Sequence, residues 1–381
     1  MVEISRLIKK NLTRSPKSCL LLGPRQTGKS TLIRGLEPEL TINLMDEVTF
    51  LDFTADAGRL RSLINASQPS SVFIDEIQRI PSLLNTIQVL IDELPDPPRF
   101  YLTGSSARKL KRGAANLLPG RLFHFRLGPL ACNELDFKID ESIIAYGSLP
   151  EIYTTADDSF KAKLLTSYTG TYLKEEIQAE ALSKNLEGFS RFLHVVASES
   201  TKYLDLSKLA QQAQINRSSA VRWFEILEDT LLVHRFEAFT KNSRKRLVQH
   251  PRFIFFDNGI LNALLRNFEV SSDRKGVLFE NMFASQLMTC SFAQDVEILV
   301  SNFRSSHGAE VDFIIESKGE VFAVECKSSK TKPDLNLRGF KSFSEVCKKP
   351  FRKIVAYMGS DSLEVGDVSV LPWQMALREI L

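Results

Sequence analysis

Apolar residues recur in this chain with two different spacings, and the spacing changes along its length. In the first third, Cys19-Leu20-Leu21-Leu22, Ser71-Val72-Phe73-Ile74 and Arg99-Phe100-Tyr101-Leu102 are short, largely apolar runs without alternation. Such runs predict parallel strands buried on both faces. Ile4 to Leu12 predicts a short basic amphipathic helix, and Ser30-Thr31-Leu32-Ile33 opens another helical pattern. From Ile143 to Leu182 the period is helical. Phe189, Phe192, Leu193 and Val196 then predict one helix, Asp205 caps a second holding Leu209-Ala210, and Ser218 to Glu228 makes a third with Val221, Phe224 and Leu227. Gln214-Ile215-Asn216 reads as the turn between the last two, and strand-like Thr230–Phe236 and Arg252–Phe256 follow. Farther on, Leu278, Phe279, Met282, Phe283 and Leu287 predict a helix, with strands at Glu310–Ile315 and Val321–Lys327.

The turn after the first strand carries chemistry. Gly23-Pro24-Arg25-Gln26-Thr27-Gly28-Lys29-Ser30, with Thr31 behind it, has phosphate-loop spacing between a strand and a helix. Glycines let successive N–H groups point at phosphate oxygens, and the helix presents its positive end to the same anion. Lys29 is then the cation for the β- and γ-phosphates of ATP, and the Ser30 hydroxyl is a Mg²⁺ ligand. A second apolar strand ends in Asp75-Glu76, at the carboxyl edge where open α/β sheets bind ligands. Asp75 is the candidate for the Mg²⁺ shell and Glu76 for polarising water. Thr103 ends the third strand, with Ser105 behind it, as a γ-phosphate or water sensor; a cap of the next helix is the other use of such residues. Arg108, Arg112 and Arg121 follow as candidates for an arginine finger.

These residues, with Ile74-Asp75-Glu76-Ile77-Gln78, Leu102–Ser106, Gly120-Arg121 and Leu127-Gly128-Pro129-Leu130, resemble the AAA-type (AAA+) ATPase domain of a large bacterial and archaeal family. Its members carry a C-terminal domain of unknown function. The likeness continues through Gly147–Glu151, Tyr172-Leu173-Lys174, Phe256–Gly259, Leu278–Asn281 and Glu310–Phe313. It implies an oligomeric ATPase, a hexameric ring being one arrangement, with Arg121 acting in trans. Ser148 stands where the family pattern has a second glycine, and no second sensor arginine follows Pro150.

Three helices and a hairpin resemble the winged helix of DNA-binding regulators. Arg217, Ser218, Ser219 and Arg222 would open its third helix, where base contacts arise, and Lys241, Arg244, Lys245 and Arg246 would make a basic wing tip for phosphates. The same fold serves as a packing module, a reading that stays open here. In Glu325-Cys326-Lys327 the strand period puts both charged side chains on one face. With Glu280 and Asp312, this order resembles the restriction-endonuclease-like fold of archaeal Holliday-junction resolvases. That resemblance implies a Mg²⁺ site at Glu280, Asp312 and Glu325, with Lys327 orienting water.

The expected fold is therefore α/β: a P-loop AAA+ core over 1–130, a helical lid over 131–184, a winged helix over 185–260 and a nuclease-like α/β domain over 261–381. Composition adds little. The 381 residues are 43% hydrophobic and 25% charged, with a net charge of +3, ordinary for a soluble protein and too weak to prove a nucleic-acid partner. Five scattered cysteines without CxxC spacing argue for reduced thiols in a cytoplasm and against structural zinc. No apolar run approaches a membrane span. The expected function is ATP hydrolysis driving work on DNA, branched DNA included. The alternatives are a nucleotide-dependent signalling switch and an ATP-gated defence nuclease.

Overall fold

The computed structural model describes residues 4–105, 118–139, 141–179, 186–239 and 250–381, without the side chains of 172–179. Strands β1 (Ser18–Leu22), β2 (Leu40–Asn43), β3 (Ser71–Asp75), β4 (Arg99–Gly104) and β5 (Leu122–Arg126) form one sheet, ordered β2-β3-β4-β1-β5. Every pairing is parallel. Strand period explains its two-sided burial. Leu20 and Leu22 of β1 join Val72, Ile74, Phe100 and Leu102 on one face, while Cys19 and Leu21 join Phe73 and Tyr101 on the other. The order sets β4 between the strand that opens the phosphate loop and the strand that ends in Asp75.

The amphipathic helix predicted from Ile4 starts later, at Lys9–Arg14. Residues before it stay outside the helix, and the Arg6 side chain turns inward to the phosphate loop.

Most of the rest of the chain shares one core, which takes in buried side chains from Ala131 to Leu381, on both sides of residues 184 and 260, and a separate cluster runs from Phe239 to Val370. Helices Ile143–Tyr146, Pro150–Thr154 and Asp158–Ala179 come first, then Leu186–Ser198, Leu206–Gln212 and Arg217–Asp229. The order of three helices, then the antiparallel hairpin of β6 (Val233–Ala238) and β7 (Arg252–Phe255), follows the sequence pattern. Residues 240–249, with the basic tip of Lys241, Arg244, Lys245 and Arg246, lie outside the described residues, as do Arg108 and Arg112.

The hairpin does not stand alone. Glu237 and Ala238 of β6 pair with Ser301 and Asn302 of β8 (Ile298–Arg304). Strands β9 (Glu310–Ser317), β10 (Glu320–Lys327), β11 (Arg352–Tyr357), β12 (Leu363–Val365) and β13 (Val368–Pro372) complete an eight-stranded mixed sheet, ordered β12-β13-β11-β10-β9-β8-β6-β7. The helix Lys275–Gln294 packs Phe279 and Phe283 on one face, against Phe313, Ile315 and Val324. Phe340 and Phe343 cover Val311, Ala323 and Val355 on the other. Among the described residues, no helix is long and apolar enough to cross a membrane.

Candidate functional site

Gly23 leaves β1 so close to the next segment that a Cβ there would sit 2.1 Å from the Leu127 carbonyl oxygen. Gly28 has φ of 89°, the left-handed region that favours glycine, and the helix Lys29–Arg34 starts at the next residue. The buried Lys29 ammonium donates to the carbonyls of Gly23 and Pro24, both at 2.8 Å. Burial pulls its pKa down to about 8, against the raising charges of Glu76 and Asp75.

Asp75 is the hub. Its Oδ1 accepts from Ser30 Oγ at 2.8 Å and from the Thr103 hydroxyl. Arg34 stands 3.6 Å from Oδ2. Thr103 is fully buried, and its Oγ1 also accepts from the Glu76 backbone N–H at 3.2 Å. Thr103 thus bridges the two acidic residues. Glu76 has a left-handed backbone, φ 58°, which turns it out of β3. Its carboxylate accepts from the Gln78 side-chain amide, which also bonds Ser105 Oγ at 3.0 Å. Ser30 and Asp75 form a pair of hard oxygen donors, the chemistry that Mg²⁺ takes.

Arg121 forms a bidentate pair with Asp92 on its own surface, at 2.7 and 2.9 Å. That hydrogen bonding holds the Asp92 carboxyl below its ordinary range. Arg121 precedes β5 at the end where Leu122 pairs with Ser18, while the phosphate loop leaves β1 after Leu22. The length of the strand separates them, so Arg121 does not reach the phosphate loop of its own chain.

Three residues outside the predicted set organise this centre. Arg6 is 8% exposed and donates to the carbonyls of Thr27 (2.8 Å), Gly128 (2.9 Å) and Pro129 (2.8 Å), and to Glu134 (3.0 Å). Gln78 holds Glu76. Gln286, on the helix Lys275–Gln294, donates to the Leu130 carbonyl (3.2 Å) and to Ser148 Oγ (3.0 Å), and accepts from the Cys132 N–H (2.8 Å). The Ser148 hydroxyl is used in this bond and in a second, donated to the Leu130 carbonyl at 2.9 Å. A chain of polar contacts therefore runs from the phosphate loop through Arg6 and the 128–132 segment into the helix Lys275–Gln294. Only Gln78 had a local signal, an amide two residues after Glu76.

The C-terminal residues gather differently. A cavity of about 590 Å³ is lined by Asp312, Glu325, Lys327, His307, Arg338 and Lys341, among others. Lys327 pairs with Glu325 at 3.2 Å. Burial pushes Glu325 up to about 7, with Lys327 opposing and Asp312 adding to the rise. Glu280 is paired instead with Arg252 of β7. Burial and the Asp312 charge push Glu280 up to about 8, against the pull of Arg252. Among the described residues, no three His, Cys, Asp or Glu side chains form a group that could hold a metal ion. The three carboxylates named for one Mg²⁺ are divided between two cations, so this donor set does not fit the metal.

On the third helix, Arg217, Ser218 and Arg222 are exposed and Ser219 is partly so. Asn216 caps this helix through the Ser219 N–H, and Arg217 donates to Ser207 Oγ at 3.1 Å.

Residues 15–136 match the model of an AAA domain. The N-terminal unit is an AAA-type domain. Residues 140–271 match a domain of unknown function (DUF8612), and residues 275–376 match another (DUF4143). Two uncharacterized proteins, of Mycobacterium bovis and Mycobacterium tuberculosis, are each 26% identical over 342 residues, covering 85% of this chain and 73% of theirs. Can2 from Sulfobacillus thermosulfidooxidans, solved with cyclic tetra-adenylate, aligns over 95% of this chain and 97% of its own at 8% identity, with a TM-score of 0.21, too low to indicate a shared fold.

Proposed function

We propose that this protein hydrolyses ATP with Mg²⁺ and uses the cycle to work on DNA as a homo-oligomer. The observation that carries the ATPase reading is the connected set Lys29, Ser30, Asp75, Thr103, Glu76 and Gln78 at one edge of a parallel sheet. Lys29 binds the terminal phosphates, and Glu76, oriented by Gln78, takes the proton of the attacking water. Ser30 and Asp75 would hold Mg²⁺, which when bound neutralises phosphate charge. Thr103 keeps the two acidic residues in register. Arg121 serves the nucleotide of a neighbouring copy, for which it exchanges Asp92.

DNA enters this reading through the exposed start of the helix Arg217–Asp229, in a winged-helix arrangement, and through the cationic side chains beside the C-terminal cavity. The Arg6 and Gln286 contacts are the route by which the nucleotide state reaches those surfaces.

The test is an ATPase assay with no DNA and with single-stranded, duplex and four-way DNA, run on the parent, Glu76→Gln and Arg217→Ala/Arg222→Ala. Hydrolysis that requires Glu76, rises with DNA and loses that rise in the double variant is expected. Hydrolysis indifferent to every DNA would remove the DNA half and favour a signalling switch. Absence of hydrolysis in the parent, with or without DNA, would remove the whole reading.

A further inference from the structure

A buried carboxylate that stays ionised needs a counter-charge, because desolvation costs far more than an isolated charge can recover. A divalent cation and a guanidinium are competing answers to that need. In the C-terminal unit the answer is Arg252, the first residue of β7. Its side chain is 10% exposed. Nη2 pairs with Glu280, Nη1 stands 3.8 Å from Asp312 Oδ1, and the same Nη1 donates to the Asp312 carbonyl at 3.3 Å. Nε donates to the Thr201 carbonyl at 2.6 Å, and the guanidinium lies 5.6 Å from the Tyr203 ring centre. Four neighbours thus fix the group between two carboxylates. Arginine stays charged at any pH a protein survives, so it does not vacate the place by losing a proton.

We propose that Arg252 is the resident cation of this carboxylate set and takes the place of a divalent metal between Glu280 and Asp312. The cavity bounded by Asp312, Glu325 and Lys327 is then metal-free and offers no metal-activated water for cleavage. This inference stands apart from the ATPase reading, since it concerns a different part of the molecule and is tested without ATP or DNA.

The test uses full-length, chelator-treated, nucleotide-free protein and Mn²⁺ alone as probe. Bound Mn²⁺ is counted by electron paramagnetic resonance, and thermal melting is followed with and without the ion. Mn²⁺ at the phosphate loop is common to all variants and cancels. The parent is expected to show no Mn²⁺ that depends on Glu280, and its melting should not move through this site. Arg252→Met should melt lower, gain one Mn²⁺, and recover melting temperature when Mn²⁺ is added. Adding Glu280→Gln to that variant should remove both effects. Parent Mn²⁺ that disappears in Glu280→Gln would overturn the proposal, and so would a folded Arg252→Met that binds none. If Arg252→Met does not fold, the parent and Glu280→Gln decide between them: a Glu280-dependent ion overturns the proposal, and its absence upholds it.

Discussion

Replacing Arg6 by Met keeps the length of the side chain and removes its charge and donors. The structure sets the size of the effect. Glu134 is fully buried in its side chain, and its partner Arg6 is 8% exposed. Breaking a buried ion pair by removing one member costs roughly 3–5 kcal/mol. Glu134 keeps two backbone donors, Leu7 N–H at 3.0 Å and Ala131 N–H at 3.1 Å, which lowers that share. The carbonyls of Thr27, Gly128 and Pro129 lose their charged donor, at about 1–3 kcal/mol each where they stay dry. These losses share one group and do not add, so the loss is about 3–5 kcal/mol. For a cooperative unit of about 150–250 residues that is a fall in melting temperature of roughly 6–20 °C. Differential scanning calorimetry reads it directly. ATP affinity should fall as well, because the Thr27 carbonyl held by Arg6 belongs to the phosphate loop. Glu134→Gln should cost less, since Arg6 keeps its three carbonyls. A melting temperature within about 2 °C of the parent would refute the clamp. An unchanged ATP affinity in a destabilised protein would confine Arg6 to packing.

Glu76→Gln should keep ATP binding and lower kcat by about 10²–10⁴-fold, the usual worth of a general base; single-turnover hydrolysis at the parent rate would refute the role. Gln78→Leu should lower kcat on the order of tenfold to a hundredfold by releasing Glu76, with equilibrium ATP binding as the control that stays unchanged. Because burial pulls Lys29 down to about 8 in the free protein, nucleotide binding takes up a proton above that pH; affinity should be flat below pH 8 and fall about tenfold per unit above it, and a flat fluorescence titration from pH 7 to 9.5 would contradict this. Arg121→Ala should bind ATP normally and hydrolyse it about 10³–10⁵-fold slower, and mixing it with Lys29→Ala should restore part of the rate if the arginine acts between copies. Parent-rate hydrolysis by Arg121→Ala alone would move the finger elsewhere.

Much of the nucleotide centre was legible in the order of residues, because its signals are local. A glycine in the left-handed region, a strand giving way to a helix, and a carboxylate pair ending an apolar run each occupy a few consecutive positions. The three helices and the hairpin were legible for the same reason, since helical and strand periods need only their own segment. What tertiary structure decided lies at long range. Strand order put β4 between β1 and β3, which set the Thr103 hydroxyl between Asp75 and the Glu76 N–H. Arg6 meets Gly128 across 122 positions, and Gln286 meets Leu130 across 156, with no periodicity to mark either. The order of Glu280, Asp312, Glu325 and Lys327 suggested a metal site, yet order along the chain does not say which cation lies among carboxylates. The antiparallel pairing of β7 with β6, and the seating of β7 against the helix Lys275–Gln294, brought Arg252 to Glu280. In a buried, weakly screened place the nearest fixed charge decides the chemistry, and only folding sets which charge is nearest.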